Sequence, residues 1–131
     1  MAKFTVSASD MARGLPAPDG WYKAKLVQFD VTADKSKTGL LYVPTVEFED
    51  KKKIDRRIKT WFSSKGINLK WAKFYHAALG QKLDPTTDFE VDTDLVKIGT
   101  EMWIKVVTDT WEGGLVNKVD DWASADEEVP Y

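Results

Sequence analysis

Only one stretch of this chain has the length and pattern of a helix, and most of the remaining apolar residues alternate with polar ones. Residues 69–79 contain no glycine or proline, and they lie between Asn68, a suitable N-cap, and Gly80, a suitable C-terminal stop. Their large apolar side chains recur at helical spacing and predict one core-facing stripe: Trp71, Phe74, Tyr75 and Ala78. The rest of the chain is therefore restricted to extended structure and loops.

Period-two alternation predicts five strands. They cover residues 21–31, 40–49, 54–62, 101–108 and 114–119. Pro44 lies inside the second strand, where it favours an edge position or a bulge. A polar loop over residues 34–39 joins the first two strands, and the turn 109–113 joins the last two. Both connections suit antiparallel pairs.

The order of three strands, one helix and two strands predicts a fold class. We expect a mainly β protein: a five-stranded antiparallel barrel of the oligonucleotide-binding (OB) type, with one helix between strands three and four. The predicted domain limits are an N-terminal leader at 1–19, the OB domain at 20–122 and a disordered acidic tail at 123–131. A length of 131 residues is consistent with one domain.

Composition excludes several classes of function. The chain has no cysteine and one histidine, so it lacks the residues for a thiolate metal site, a disulfide framework or a cysteine nucleophile. It contains no phosphate-binding loop or nucleophile-elbow motif. No apolar run approaches the roughly 20 residues of a membrane span, and the first residues lack a signal-peptide core. We expect a soluble, cytoplasmic protein that is not an enzyme and uses no cofactor or metal.

Cations and aromatic residues share faces of the predicted strands. On the third strand Arg57, Lys59 and Trp61 alternate on one face, which combines charges for phosphates with a flat surface for bases. Further candidates lie in the first loop, the second and fourth strands and the last turn. The predicted nucleic-acid-binding residues are Lys35, Lys37, Tyr42, Arg57, Lys59, Trp61, Trp103, Lys105 and Trp111.

Each candidate also has a structural interpretation. Trp61 and Trp103 could cover a barrel end or pack on the tail, and Tyr42 could belong to the core. The basic run at residues 51–53 suits a solvated turn as well as a binding surface. An exposed Trp111 is costly unless it stacks on something.

The end of the chain is acidic. Five of the 21 acidic residues follow Val119, so residues 1–119 carry 16 acidic and 19 basic residues, a net charge of +3. A mildly basic body with an acidic tail suits a nucleic-acid binder with a docking segment, although acidic ends are also often plain disorder. The predicted partner-docking residues are Asp126, Glu127, Glu128, Val129, Pro130 and Tyr131.

That ending resembles the C-terminal tip of bacterial and phage single-stranded-DNA-binding proteins, which close on acids, an aliphatic residue, proline and phenylalanine. Tyr131 replaces the phenylalanine here. Loose motifs in the body resemble small phage replication and recombination proteins of the OB type: residues 20–22, 37–39, 116–119, Trp71 and Trp122.

The resemblance implies a phage protein of the host cytoplasm that coats single-stranded DNA during replication, recombination or repair. Its tip would recruit replication or recombination proteins, and it could form homo-oligomers. The modestly basic body argues against salt-resistant binding. The alternative is a β-barrel protein-interaction or phage structural module without nucleic-acid binding, and RNA binding is a third possibility.

Overall fold

The computed structural model describes residues 2–130, without the side chains of residues 9 and 10. The described chain is mainly β. A short helix α1 (Ala8–Arg13) precedes the sheet, and helix α2 (Leu69–Ala78) lies between its two halves. The strands are β1 (Gly20–Ala33), β2 (Leu40–Glu49), β3 (Asp55–Lys59), β4 (Phe62–Ser63), β5 (Glu101–Trp111) and β6 (Gly114–Ser124).

These strands form one antiparallel sheet that does not close. The order across it is β3-β2-β1-β5-β6, and the short β4 also pairs with β2. No ladder joins the outer strands β3 and β6 within residues 2–130. The antiparallel sheet and the helix after the third strand are thus confirmed, whereas six strands replace the expected five and barrel closure is not confirmed.

Pro44 divides the predicted third strand into β3 and β4. The register of β2 is the same with both, since Thr45 faces Lys59 and Tyr42 faces Phe62. Thr60 N–H donates to Pro44 O at 3.0 Å, but proline has no N–H to return the second bond of that pair. The ladder therefore breaks at Thr60, beside Trp61. Pro44 thus lies in an unbroken central strand rather than at an edge or a bulge, and the break occurs in the strand opposite.

A bulge in β1 redirects its side chains. The register with β2 shifts between Leu26 and Gln28, after Tyr22, Ala24 and Leu26 have pointed into the core. The shift brings Phe29 onto the core side, where it packs against the buried cluster. Simple alternation places Phe29 with Lys23 on the opposite face, so the bulge accounts for the difference.

Helix α2 contributes the predicted stripe to the core. Trp71, Phe74, Tyr75 and Ala78 are all buried, which confirms their assignment. Phe74 packs edge-on against Trp122 of β6 with ring centroids 5.0 Å apart. Asn68 Oδ1 accepts from Trp71 N–H as the N-cap, and Gly80 follows the helix with a positive φ of 69°. No helix in the described range is long and apolar enough to cross a membrane.

Described residues near both ends of the chain contact the sheet. The leader contains α1 and then inserts Ala17, which is buried, against the sheet. At the other end β6 continues to Ser124, past the predicted limit at Val119. Ser124 N–H donates to Glu127 Oε2 at 2.6 Å and Trp103 Nε1–H donates to Ala125 O at 3.2 Å, so disorder is not confirmed for this part of the tail.

Asp50 closes the turn between β2 and β3. Its side chain is fully buried and accepts from Lys52 N–H, Ile54 N–H and Arg56 Nε–H at 2.8, 3.1 and 3.0 Å. Burial raises the pKa of Asp50, but the hydrogen bonds from Ile54, Arg56 and Lys52 together outweigh burial and hold the pKa below its ordinary value of 3.8. The ionised carboxylate is therefore the form that the fold requires.

Stability should depend on that charge. A folded-state pKa below the unfolded value contributes stability above pH 3.8, and this is lost as the pH falls through the folded-state pKa. Replacing Asp50 by Asn should cost about 3–5 kcal/mol at pH 7, because the substitution leaves the Arg56 charge poorly compensated. Urea unfolding measures both effects.

The matched control is Glu49→Gln. Glu49 pairs with Lys53 at 3.4 Å on the same turn, with both side chains largely exposed, so its loss should cost no more than about 1 kcal/mol. Equal losses from Asp50→Asn and Glu49→Gln would contradict the assignment of Asp50.

Candidate nucleic-acid interface

A groove of about 1080 Å³ runs between β3 and the β5–β6 hairpin, where the sheet does not close. Its floor includes Ile58 and Val119, whose side chains are buried. The edge strands supply its two long walls, and residues 13–16 also border it. The open seam of the sheet thus forms a concave surface lined by both edge strands.

The β3 wall carries three of the predicted binding residues. Arg57, Lys59 and Trp61 all border the groove. Trp61 is 63% exposed, directly after the position where Pro44 interrupts the ladder. Arg57 Nε lies 2.9 Å from Glu47 Oε2 on the neighbouring strand, so its charge is partly compensated, while Lys59 makes no ion pair within residues 2–130.

The hairpin wall carries Trp111. The sequence predicts this residue in a five-residue turn, but β5 runs to Trp111 and the turn consists of Glu112 and Gly113. Their φ values of 49° and 79° are those of a type I′ turn, whose twist matches an antiparallel hairpin. Trp111 is 67% exposed and Leu115 is 62% exposed, so the hairpin end presents a large apolar surface to solvent.

The groove is rich in cations. Six basic side chains and one acidic side chain border it: Arg13, Arg56, Arg57, Lys59, Lys70, Lys118 and Asp109. The single acid is engaged, since Lys118 Nζ lies 2.8 Å from Asp109 Oδ2. The hydrogen bond from Lys118 lowers the pKa of Asp109, and the same contact raises the pKa of Lys118. Both groups therefore remain charged near neutral pH.

Tyr42 does not join the groove. Its ring lies 5.4 Å from Trp71 in edge contact and 6.4 Å from Phe29 in a stacked arrangement. Of the two interpretations of Tyr42, the structure thus favours packing against the core over contact with a nucleic acid.

Trp103 and Lys105 are also placed away from the groove. They lie in β5 opposite Lys23 and Trp21 of β1, and neither borders the groove. The indole of Trp103 has Lys23 Nζ 5.4 Å from its centre and donates to Ala125 O. The interpretation that Trp103 packs against the start of the tail therefore has direct support.

Lys35 and Lys37 project from the loop between β1 and β2, which Lys65 holds together. Lys65 Nζ contacts Thr38 Oγ1, lies 2.8 Å from Ser36 Oγ and lies 3.5 Å from Asp34 Oδ2. Lys35 and Lys37 are exposed and make no ion pair within the described chain. They add positive charge to this loop.

Several groove residues were absent from the sequence prediction. Leu115, Lys118 and Lys70 border the groove, as do residues 13–16 of the supposed leader. The alternation of the last strand offered a signal for Lys118. No local pattern indicates that residues 13–16 lie against the sheet, since the contact that holds the next residue, Ala17, is with Asn117, 100 positions further along the chain.

The predicted docking residues follow the end of β6, where Ser124 pairs with Met102 of β5. Glu127 N–H donates to Ser124 O at 3.0 Å, and the Ser124 hydroxyl lies 2.9 Å from Asp126 Oδ1 and 3.0 Å from Glu127 Oε2. Glu128 and Pro130 are exposed. Tyr131 lies outside the described residues.

Comparisons give no family for this chain. Neither a protein-family model nor a curated protein matches it. Within residues 2–130, no group of three or more histidine or acidic side chains is placed to hold a metal ion. The groove and its chemistry are therefore the guide to function.

The exposure of the two groove indoles can be measured directly. Trp61→Phe and Trp111→Phe should each reduce acrylamide quenching of the tryptophan emission, because each removes a fluorophore that is more than 60% exposed. Their effect on unfolding free energy should stay within about 0.5 kcal/mol, as for other surface changes.

Trp122→Phe serves as the contrasting variant. Trp122 is 3% exposed and packs on Phe74, so its replacement should leave the quenchable fraction unreduced and lower the stability. Equal quenching of the wild type and the Trp61→Phe, Trp111→Phe double variant would show that these indoles are not solvent-accessible.

Proposed function

We propose that this protein binds single-stranded DNA along the groove, without catalysis and with little sequence preference. The main support is the presence of two largely exposed indoles, Trp61 and Trp111, on a groove bordered by six basic side chains. Single-strand binders combine a cationic groove, which follows the phosphates, with aromatic platforms on which any base can stack.

We also propose that the sheet is an OB-type barrel left open between β3 and β6. The order β3-β2-β1-β5-β6, with α2 between β4 and β5, supports this assignment. OB folds are partly open barrels that bind oligonucleotides on the second and third strands and on the loops at either side. Here the corresponding elements are β2, β3, the loop with Lys35 and Lys37, and the hairpin with Trp111.

Within the groove, distinct roles follow from the chemistry. Trp61 and Trp111 stack on bases, while Lys59, Arg57 and Lys118 contact phosphates. Lys59 has the most available charge of these three, because Arg57 and Lys118 each hold an acidic partner. Binding should therefore involve few phosphates, and the logarithm of the association constant should fall with a shallow slope against the logarithm of salt concentration.

The binding test is a titration with oligo-dT at low salt. It should quench tryptophan fluorescence, and the logarithm of the association constant should fall linearly with the logarithm of salt concentration. Trp61→Ala and Trp111→Ala should each raise the Kd about 5- to 150-fold, since one stacked base contributes about 1–3 kcal/mol.

Two lysine variants distinguish a phosphate contact in the groove from a general effect of the protein's positive charge. Lys59→Gln should lower the salt slope by about 0.7, the contribution of one phosphate on a single strand. Lys82→Gln removes an exposed charge that does not border the groove and should leave the slope unchanged. No change in fluorescence or mobility with oligo-dT at low salt would falsify the proposed function.

A protein partner in the groove is the second candidate. The exposed surface of Trp61, Trp111 and Leu115 also has the composition of a protein-binding patch. Such a module would ignore oligo-dT in the same titration. RNA of equal length, used as a competitor, tests the preference for DNA.

For the tail, we propose that residues from Glu128 onward form the part that recruits replication or recombination proteins. Asp126 and Glu127 instead stabilise the fold, because they accept hydrogen bonds from Ser124, which is buried. Residues 126–127 are thus assigned to folding, and the residues that follow them to docking.

Two truncations separate these roles. Ending the chain after Glu127 should leave the unfolding free energy unchanged and abolish partner capture. Ending it after Ala125 should also cost about 1–3 kcal/mol, because Ser124 loses its acceptors. Urea unfolding measures the stability, and co-purification with the replication proteins of the host measures the capture.

Ending the chain after Ala125 should also raise the apparent affinity for DNA, because it removes the three carboxylate side chains of the segment that competes for the cationic groove. Equal stability of the two truncations would remove the folding role of Asp126 and Glu127. Intact capture by both would reduce the tail to a solubility element.

A further inference from the structure

Residues 12–17 connect β3 and β6, the two outer strands of the sheet, which do not pair with each other. At one end, Arg56 of β3 donates from Nη2 to Ala12 O at 3.0 Å and from Nη1 to Arg13 O at 3.2 Å. The same guanidinium is held by Asp50 through Nε. One arginine thus attaches the end of α1 to the edge of β3.

At the other end, Asn117 of β6 holds Ala17 by both backbone groups. Ala17 N–H donates to Asn117 Oδ1 at 2.7 Å, and Asn117 Nδ2 donates to Ala17 O at 3.1 Å. The Tyr22 hydroxyl donates to Pro18 O at 2.6 Å, which holds the following residue. The side-chain amide of asparagine thus accepts from the backbone N–H and donates to the backbone C=O of one residue, as a neighbouring strand would.

The segment between these attachments faces the groove. Arg13, Gly14, Leu15 and Pro16 all border it. The Arg13 backbone is held by Arg56, while the Arg13 side chain is exposed and makes no ion pair with any of the described side chains. A fixed backbone that carries an available guanidinium suits the binding of an anionic strand.

We propose that residues 12–17 form a third wall of the groove, on which Arg13 binds a phosphate of the nucleic acid. Arg56 and Asn117 are positioning residues for this wall. The inference rests on the proposed function, since it names a further contact of the same groove. The six-residue helix α1 is too short to be stable alone, so the placement of Arg13 depends on these two attachments.

The first test is the salt dependence of oligo-dT binding by Arg13→Gln. The variant should lower the slope of log association constant against log salt by about 0.7, with Lys82→Gln unchanged as the control. The substitution alters an exposed side chain, so the fold should persist. A slope equal to that of the wild type would overturn the assignment of Arg13.

The second test concerns Asn117→Ala. Hydrogen exchange of the Ala17 amide should accelerate, because its acceptor is gone. In this background Arg13→Gln should change the salt slope by less than half as much as in the wild type, since the wall no longer holds Arg13 in place. An undiminished Arg13 effect with accelerated exchange would overturn the positioning role.

The outcomes separate this inference from the proposed function. A wild-type protein that ignores oligo-dT refutes the proposed function. A wild type that binds with a salt-dependent affinity, beside an Arg13→Gln variant of the same slope, refutes only the third wall. Thermal melting of each variant establishes that it is folded, and the Arg13 experiment remains decisive if Asn117→Ala does not fold.

Discussion

The buried carboxylate of Asp50 is the interaction on which much of the structure depends. It accepts from two backbone amides in the turn between β2 and β3, and it orients the guanidinium of Arg56. Arg56 in turn holds the end of α1. One ionised side chain therefore links a tight turn, an edge strand and the N-terminal segment, three elements that no common ladder joins.

Exposure of Trp61 has an equally local origin. Proline at position 44 removes one ladder bond, and the strand opposite is interrupted at Thr60. The indole that follows lies largely in solvent beside the seam. A residue in one strand thus shapes the surface presented by its neighbour, and the cost in hydrogen bonding is confined to a single backbone pair.

Local patterns predicted the elements well and their closure less well. Asn68, the stripe from Trp71 to Ala78 and Gly80 define α2, because capping and amphipathicity act within a few residues. Alternation also locates β2, but it cannot reveal the bulge in β1 that turns Phe29 inward. The length of β5 was underestimated because Asp109 and Thr110 resemble turn residues, although they pair with Val116 and Leu115.

For the groove, the sequence identified Arg57, Lys59, Trp61 and Trp111, each from strand alternation or from a turn in which a large aromatic residue is exposed. It could not identify Asn117 and Ala17 as partners, since their contact joins positions 100 residues apart. It also did not distinguish Trp103 from the groove residues. Strand alternation predicts on which face of the sheet a side chain lies. It does not predict whether that part of the face borders the groove.

The hairpin turn and the tail lie at opposite ends of β5 and β6, since Trp111 faces Gly114 at one end and Ser124 faces Met102 at the other. The same two strands thus carry the exposed indole at the turn and the acidic residues 126–128 beyond the other end, so the proposed binding and docking sites occupy opposite ends of one hairpin.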